Sequence, residues 1–191
     1  MICTKALKKL KDGNKRFVKS IQVNHKIGIS LNHTLVSSQK PFAVVLTCSD
    51  SRVGPNEIFD TKLGDLFIIK NAGNINSKST LASIEYAVAM LNVRLIVVLS
   101  HQNCGAVKYA KQHSETHKER DKNIDFLLHQ IRYVLSENKK LSTKEITIKN
   151  AEHTAIEMME NSLIISEKVK AKKAKIITGY YKISTGKVSF F

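Results

Sequence analysis

Hydrophobic and polar positions along the 191 residues fall into blocks of different period. The opening block places Leu7, Leu10, Asn14 and Phe17 at helical spacing among lysines, which predicts an amphipathic helix over residues 1–20 whose apolar face needs cover. Residues 21–40 hold no period and read as loop with short helical turns. Three near-continuous apolar runs follow, "FAVVLTC" (42–48), "DLFIIKNAG" (65–73) and "RLIVVLSH" (94–101). Runs of that kind predict strands buried on both faces, as a parallel sheet requires. Between the second and third, Leu81, Ile84, Val88 and Leu91 form a helical stripe that Ser79 or Thr80 can cap. A helix joining two strands is a βαβ crossover, right-handed by default. "NCGAVKYAKQ" opens another helix, and "NIDFLLHQIRYVLSEN" and residues 144–170 carry a helical period. "AKIITGYYKISTGKVSFF" closes the chain as a hairpin around "STGK". The expectation is one α/β domain over residues 1–191, with a mainly parallel central sheet, flanking helices and a C-terminal β-hairpin.

Composition changes this picture little. At 42% hydrophobic the chain can fill one core, and no stretch approaches the roughly 20 apolar residues of a membrane span. "MICTKALKKLKDGNKRF" lacks the apolar core of a secretory signal, so a cytoplasmic location is expected; a chain trimmed of its leader would look the same. Cys3, Cys48 and Cys104 are an odd set without C-x-x-C, which favours thiols used for metal or chemistry over a disulfide framework. Lys and Arg outnumber Asp and Glu by 31 to 16, for a net charge of +15. Such a surface attracts polyanions. The lysines are spread along the chain, however, with local density only at "KALKKLKDGNKR" and "EKVKAKKAK", and no nucleic-acid-binding motif accompanies them. Nucleic-acid and membrane-surface binding are therefore not expected.

The chemistry gathers at strand ends. "TCSDSRVG" (47–54) puts a thiol, a carboxylate and a guanidinium at alternate positions, on one face if the strand geometry persists. The third run ends in "HQNC", and ligands in an open α/β sheet collect beyond the carboxyl ends of its strands. Cys48, His101 and Cys104 then offer two thiolates and an imidazole, a set that suits zinc. Three protein ligands leave a fourth position open, as in catalytic sites, unless Asp50 fills it and shuts the site. Other readings of the same residues stand beside this one. A buried cysteine is often a small hydrophobe, and Asp50 with Arg52 also fits a structural ion pair. A polyanion-binding module would use the charge and leave the cysteines idle. A nucleotide-binding α/β protein would want a glycine-rich turn that "CSDSRVG" does not supply.

"CSDSRV", followed by "FDTKLGDLFIIKNAGN", "SIEYAVAMLNVRLIVVLSHQNCGAV" and "GYYKISTGKV", resembles the β-class carbonic anhydrases over nearly the whole chain. "ALKKLKDGNKRFV" is similar to that family's N-terminal helix. The resemblance implies zinc on Cys48, His101 and Cys104, an Asp–Arg dyad at Asp50 and Arg52, and reversible hydration of carbon dioxide to bicarbonate by zinc-bound hydroxide. In that scheme Asp50 accepts a hydrogen bond from the hydroxide and Arg52 keeps Asp50 off the metal. It also implies a substrate pocket at Gln39, Phe67, Ala72, Tyr86 and Gly105, where Gln39 matches one subgroup. The other subgroup has a tryptophan-containing bicarbonate site, which a chain without Trp cannot match. Homodimers or homotetramers are implied, with the pocket partly formed by a neighbour and residues 1–20 packing on it. Two positions depart: Lys70 replaces the usual Arg before "NAGN", and Asn56 precedes Glu57 where the acid more often comes first. No proton shuttle stands out, and His25, His33 and His113 read as surface residues.

Overall fold

The apolar runs form the centre of a five-stranded sheet in order β2-β1-β3-β4-β5. The computed structural model describes residues 2–23, 33–113, 122–137 and 140–191. Strands β1 (Ala43–Cys48), β2 (Leu66–Asn71), β3 (Leu95–His101) and β4 (Lys175–Lys182) are parallel, and β5 (Lys187–Phe190) returns antiparallel to β4. The α/β class, the mainly parallel sheet and the C-terminal hairpin are as expected. Every residue of β1 and β3 is buried, but β2 is an edge strand and only half-buried, so burial on both faces holds for two of the three runs.

Eight α-helices lie among the described residues: α1 (Ile2–Val18), α2 (His33–Ser37), α3 (Pro55–Ile58), α4 (Lys78–Ala89), α5 (Gly105–Gln112), α6 (Lys122–Glu137), α7 (Thr143–Asn161) and α8 (Leu163–Lys170). One sheet face packs Val44, Leu46, Ile96 and Val98 against Ile84 and Val88 of α4, Met158 of α7 and Ile165 of α8. Helix α4 starts earlier than expected, because the Ser77 hydroxyl accepts from the Thr80 N–H and makes Ser77 the cap. The period over 144–170 resolves into two helices. Ser162 takes an extended conformation, its hydroxyl accepts from Ile165 N–H to start α8, and it donates to Glu85 of α4. No helix among the described residues is long and apolar enough to cross a membrane.

Helix α1 covers the other sheet face. Ala6 and Leu10 are buried, and Leu7 and Phe17 pack with them against Val45, Phe59, Val97 and Tyr181. The stripe that needs cover thus finds it on its own chain. Polar contacts fix the docking. The buried Asn14 amide donates to the Ile58 and Gly186 carbonyls and accepts from Val188 N–H, while Arg16 pairs with the buried Asp60 carboxylate. Gly13, a poor helix residue, sits where a Cβ would lie 1.7 Å from the Phe59 carbonyl oxygen. Close approach of two backbones requires it. Gly13→Ala should therefore cost roughly 2 kcal/mol or more in urea unfolding. An unchanged midpoint would mean that α1 docks differently.

Candidate metal centre

Parallel strands β1 and β3 deliver Cys48 and His101 to the same, carboxyl end of the sheet, and the turn after β3 places Cys104 at the start of α5. All three residues are buried, and their ligand atoms lie within 4.8 Å of one another. The two sulfurs are 3.9 Å apart. Sulfurs held 2.3 Å from a tetrahedral zinc stand about 3.8 Å apart, so the spacing fits such an ion. The imidazole is oriented for the same task. His101 Nδ1 lies 3.0 Å from the Gln102 carbonyl oxygen, which fixes the proton there and leaves the Nε2 lone pair free. Nε2 is fully buried and has no hydrogen-bond partner. A buried imidazole nitrogen without a partner costs stability unless something binds it. The donor set fits a metal ion.

Backbone amides support the thiolates. Gly73 N–H points at Cys48 Sγ at 3.4 Å, and Ala106 and Val107 N–H groups serve Cys104. The hydrogen bond from the Cys104 thiol lowers the Cys48 pKa; the anion opposite, together with burial, raises that of Cys104. Gly73 adopts a φ of +76°, and a Cβ there would lie 3.0 Å from the Ile131 side chain, so a larger residue is disfavoured twice. Its carbonyl accepts from the buried Asn150 amide of α7, and Thr154 holds the next carbonyl.

The strand geometry does not continue past Cys48, so Cys48, Asp50 and Arg52 do not share a strand face. The chain turns instead, with Val53 N–H donating to the Asp50 carbonyl oxygen at 3.1 Å. The turn folds Arg52 back onto Asp50. Arg52 Nε donates to Oδ1 at 2.9 Å and Nη2 to Oδ2 at 2.8 Å, and the Arg52 backbone N–H reaches Oδ1 at 3.0 Å. This fork holds the Asp50 carboxyl well below the usual carboxylate range. Asp50 Oδ2 also lies 3.9 Å from His101 Nε2, at the edge of the metal position, with both oxygens already engaged by Arg52.

Ala72 and Gly105 join this group. Ala72 adjoins the Gly73 amide and Gly105 follows Cys104; a Cβ at Gly105 would meet no atom within 4 Å, so there is open space beside the ligand. Gln39, Phe67 and Tyr86 do not join it. Phe67 pairs with Val44, four residues before Cys48, which at a strand's rise of about 3.3 Å per residue puts it about 13 Å away. Tyr86 packs on Phe67, with ring centroids 6.4 Å apart, and the exposed Gln39 lies before β1 at that same remote end. Of the histidines, His113 stacks on Tyr109 at the far end of α5, α2 begins at His33, and His25 lies outside the described residues.

A family model described as carbonic anhydrase matches residues 43–188. The carbonic anhydrase of Mycolicibacterium smegmatis is 50% identical over 103 residues, covering 54% of this chain and 50% of that protein. That of Synechococcus elongatus is 31% identical over 194 residues, covering 95% of this chain and 70% of its own. A structure from a study of two tetrameric β-carbonic anhydrases of Sordaria macrospora superposes with a TM-score of 0.70 at 26% identity, over 83% of this chain and 84% of that one. The chain belongs to the carbonic anhydrase family, in its β class. It spans about half the length of the mycobacterial relatives it matches.

Proposed function

We propose that this protein catalyses the reversible hydration of carbon dioxide to bicarbonate and a proton, using zinc held by Cys48, His101 and Cys104. The observation that carries the reading is the convergence of these three ligand atoms beside an Asp50 carboxylate that Arg52 holds in a two-point fork. Bound zinc supplies a Lewis acid that makes water a nucleophile near neutral pH, lowering its pKa from 15.7 to about 7. The protein's own residues supply the rest. Asp50 Oδ2 accepts a proton-bearing bond from the attacking oxygen and fixes its orientation. Arg52 grips both carboxylate oxygens through Nε and Nη2 and keeps the group from the metal. Ile75 and Val107 pack in one cluster with Cys48 and Cys104, an apolar surround that suits a small apolar substrate. Oxygen-isotope exchange between labelled bicarbonate and water tests the reaction. The zinc-loaded protein should speed it, and a protein that does not would be assigned another chemistry.

Homodimers or homotetramers complete the site in this reading. The Phe67–Tyr86 pair lies on edge strand β2 and the exposed side of α4, too far from its own metal residues to line their pocket. Tyr86 is 50% exposed and Met90 72%, an apolar surface suited to a second copy. Gln39, Phe67 and Tyr86 then serve the partner's metal. Gln39→Ala should slow hydration while zinc stays bound. Mixing Q39A chains with H101A chains should restore activity, since one site per mixed dimer has every group intact. Mixtures no faster than the sum of their parts would place Gln39 in its own chain's site or outside both. We also assign the protein to a reducing compartment such as the cytoplasm, because joining sulfurs only 3.9 Å apart as a disulfide would destroy the ligand set.

A further inference from the structure

The structure gives Lys70 a specific contact. It stands on edge strand β2 opposite Thr47, with its stem exposed and its ammonium turned in toward the segment after β1. Lys70 Nζ donates to the Val53 carbonyl oxygen at 2.7 Å and approaches the Asp50 carbonyl oxygen at 3.4 Å. These carbonyls belong to the first and last residues of the turn that Val53 N–H closes on Asp50. The turn's interior residues are Ser51 and Arg52, and its first residue carries the carboxylate that Arg52 grips. One ammonium therefore spans both ends of the four-residue segment carrying the Asp50–Arg52 fork. A charged donor on two carbonyls is a stronger tie than a neutral one, and the turn has few others. Arg52 is half-exposed, and its remaining contact, Nη2 to the Asn103 carbonyl, is long at 3.5 Å.

We propose that Lys70 is a positioning residue, which clamps the 50–53 turn and thereby holds the Asp50–Arg52 fork in register with the metal ligands. It touches neither metal nor substrate and acts through the two carbonyls. The proposal rests on the hydration reading for its catalytic consequence, but not for its structural content.

Lys70→Met keeps an unbranched side chain only one atom shorter and removes its donors. The expected result is a roughly 10- to 100-fold fall in kcat with KM little changed and zinc content unaltered. Lys70→Arg, which retains donors able to serve two carbonyls, should keep most of the rate. The direct readout is the Arg52 Nε–H signal in nitrogen–proton NMR spectra, assigned by its disappearance in R52K. In wild type this proton, bonded to Asp50, should exchange slowly with water. In K70M it should exchange at least tenfold faster, and in K70R it should stay protected. An Arg52 signal equally protected in K70M overturns the proposal, whatever happens to the rate. So does a wild-type kcat in K70M. Should K70M prove insoluble, K70A, which also carries no side-chain donor, gives the same reading. Because the signal is recorded without substrate, an inactive wild-type protein would count against hydration and leave the clamp standing or falling on its own.

Discussion

Replacing Cys48 or Cys104 with Ser, or His101 with Ala, should remove zinc and carbon dioxide hydration together. Each ligand is buried, and together they make up the only group of metal-binding type among the described residues. Among the described residues no further thiol or imidazole joins the group, and Cys3 donates instead to the Arg94 carbonyl. The loss in metal affinity should exceed the 10- to 100-fold typical of removing a supporting group, and the rate should fall to that of buffer. Metal analysis of each purified variant, with a stopped-flow hydration assay on the same sample, checks this. Full zinc occupancy in any of the three would strike that residue from the ligand set.

The second large effect concerns the fork. Arg52→Ala should release the Asp50 carboxylate, whose oxygens are otherwise taken by Nε and Nη2, toward a metal position it already borders. The sign follows from charge. Arg52 depresses the Asp50 pKa, so its removal raises that pKa toward the ordinary carboxylate value near 3.9, and Asp50 stays ionised at neutral pH. Arg52→Ala thus alters what the carboxylate binds and not its protonation. A free carboxylate competes well with neutral water for zinc and less well with hydroxide. Hydration by the variant should therefore fall about 100-fold or more near neutrality and partly recover in alkali. Asp50→Asn should behave differently. A neutral amide binds zinc weakly, so the site stays open but lacks its carboxylate acceptor, and the variant should be slow across the whole pH range. Hydration against pH for both variants, with zinc content measured, separates the two. A wild-type profile for Arg52→Ala would make the pair merely structural.

Much of this site can be read from local pattern. The strands are visible because β1 and β3 are nearly continuous apolar runs, and a parallel sheet sends the residues that end them, Cys48 and His101, to one end of the sheet. The spacing of His101 and Cys104 across a helix start needs no distant information. Long-range contacts to backbone are another matter. Asn150 reaches the Gly73 carbonyl across 77 residues, and Asn14 reaches Gly186 across 172, and neither leaves a period or motif. Gly13 reads as a weak point in a helix until the Phe59 carbonyl is seen against it. Ser162 breaks a helical period without glycine or proline, because its hydroxyl caps the next helix and bonds to Glu85. The turn at 50–53 hides behind an alternating pattern that suggests a strand. Gly73 lies in "NAGN", which the family resemblance covers, but nothing local in that stretch tells that its N–H meets Cys48 Sγ 25 residues away.

With one zinc ion held by Cys48, His101 and Cys104, the protein should convert carbon dioxide to bicarbonate. Titrating metal-free protein with zinc while following hydration by stopped flow tests it most directly. The rate should rise in proportion to added zinc and level off at about one ion per chain. A metal-free protein already at full rate, or a fully zinc-loaded one no faster than buffer, would contradict it.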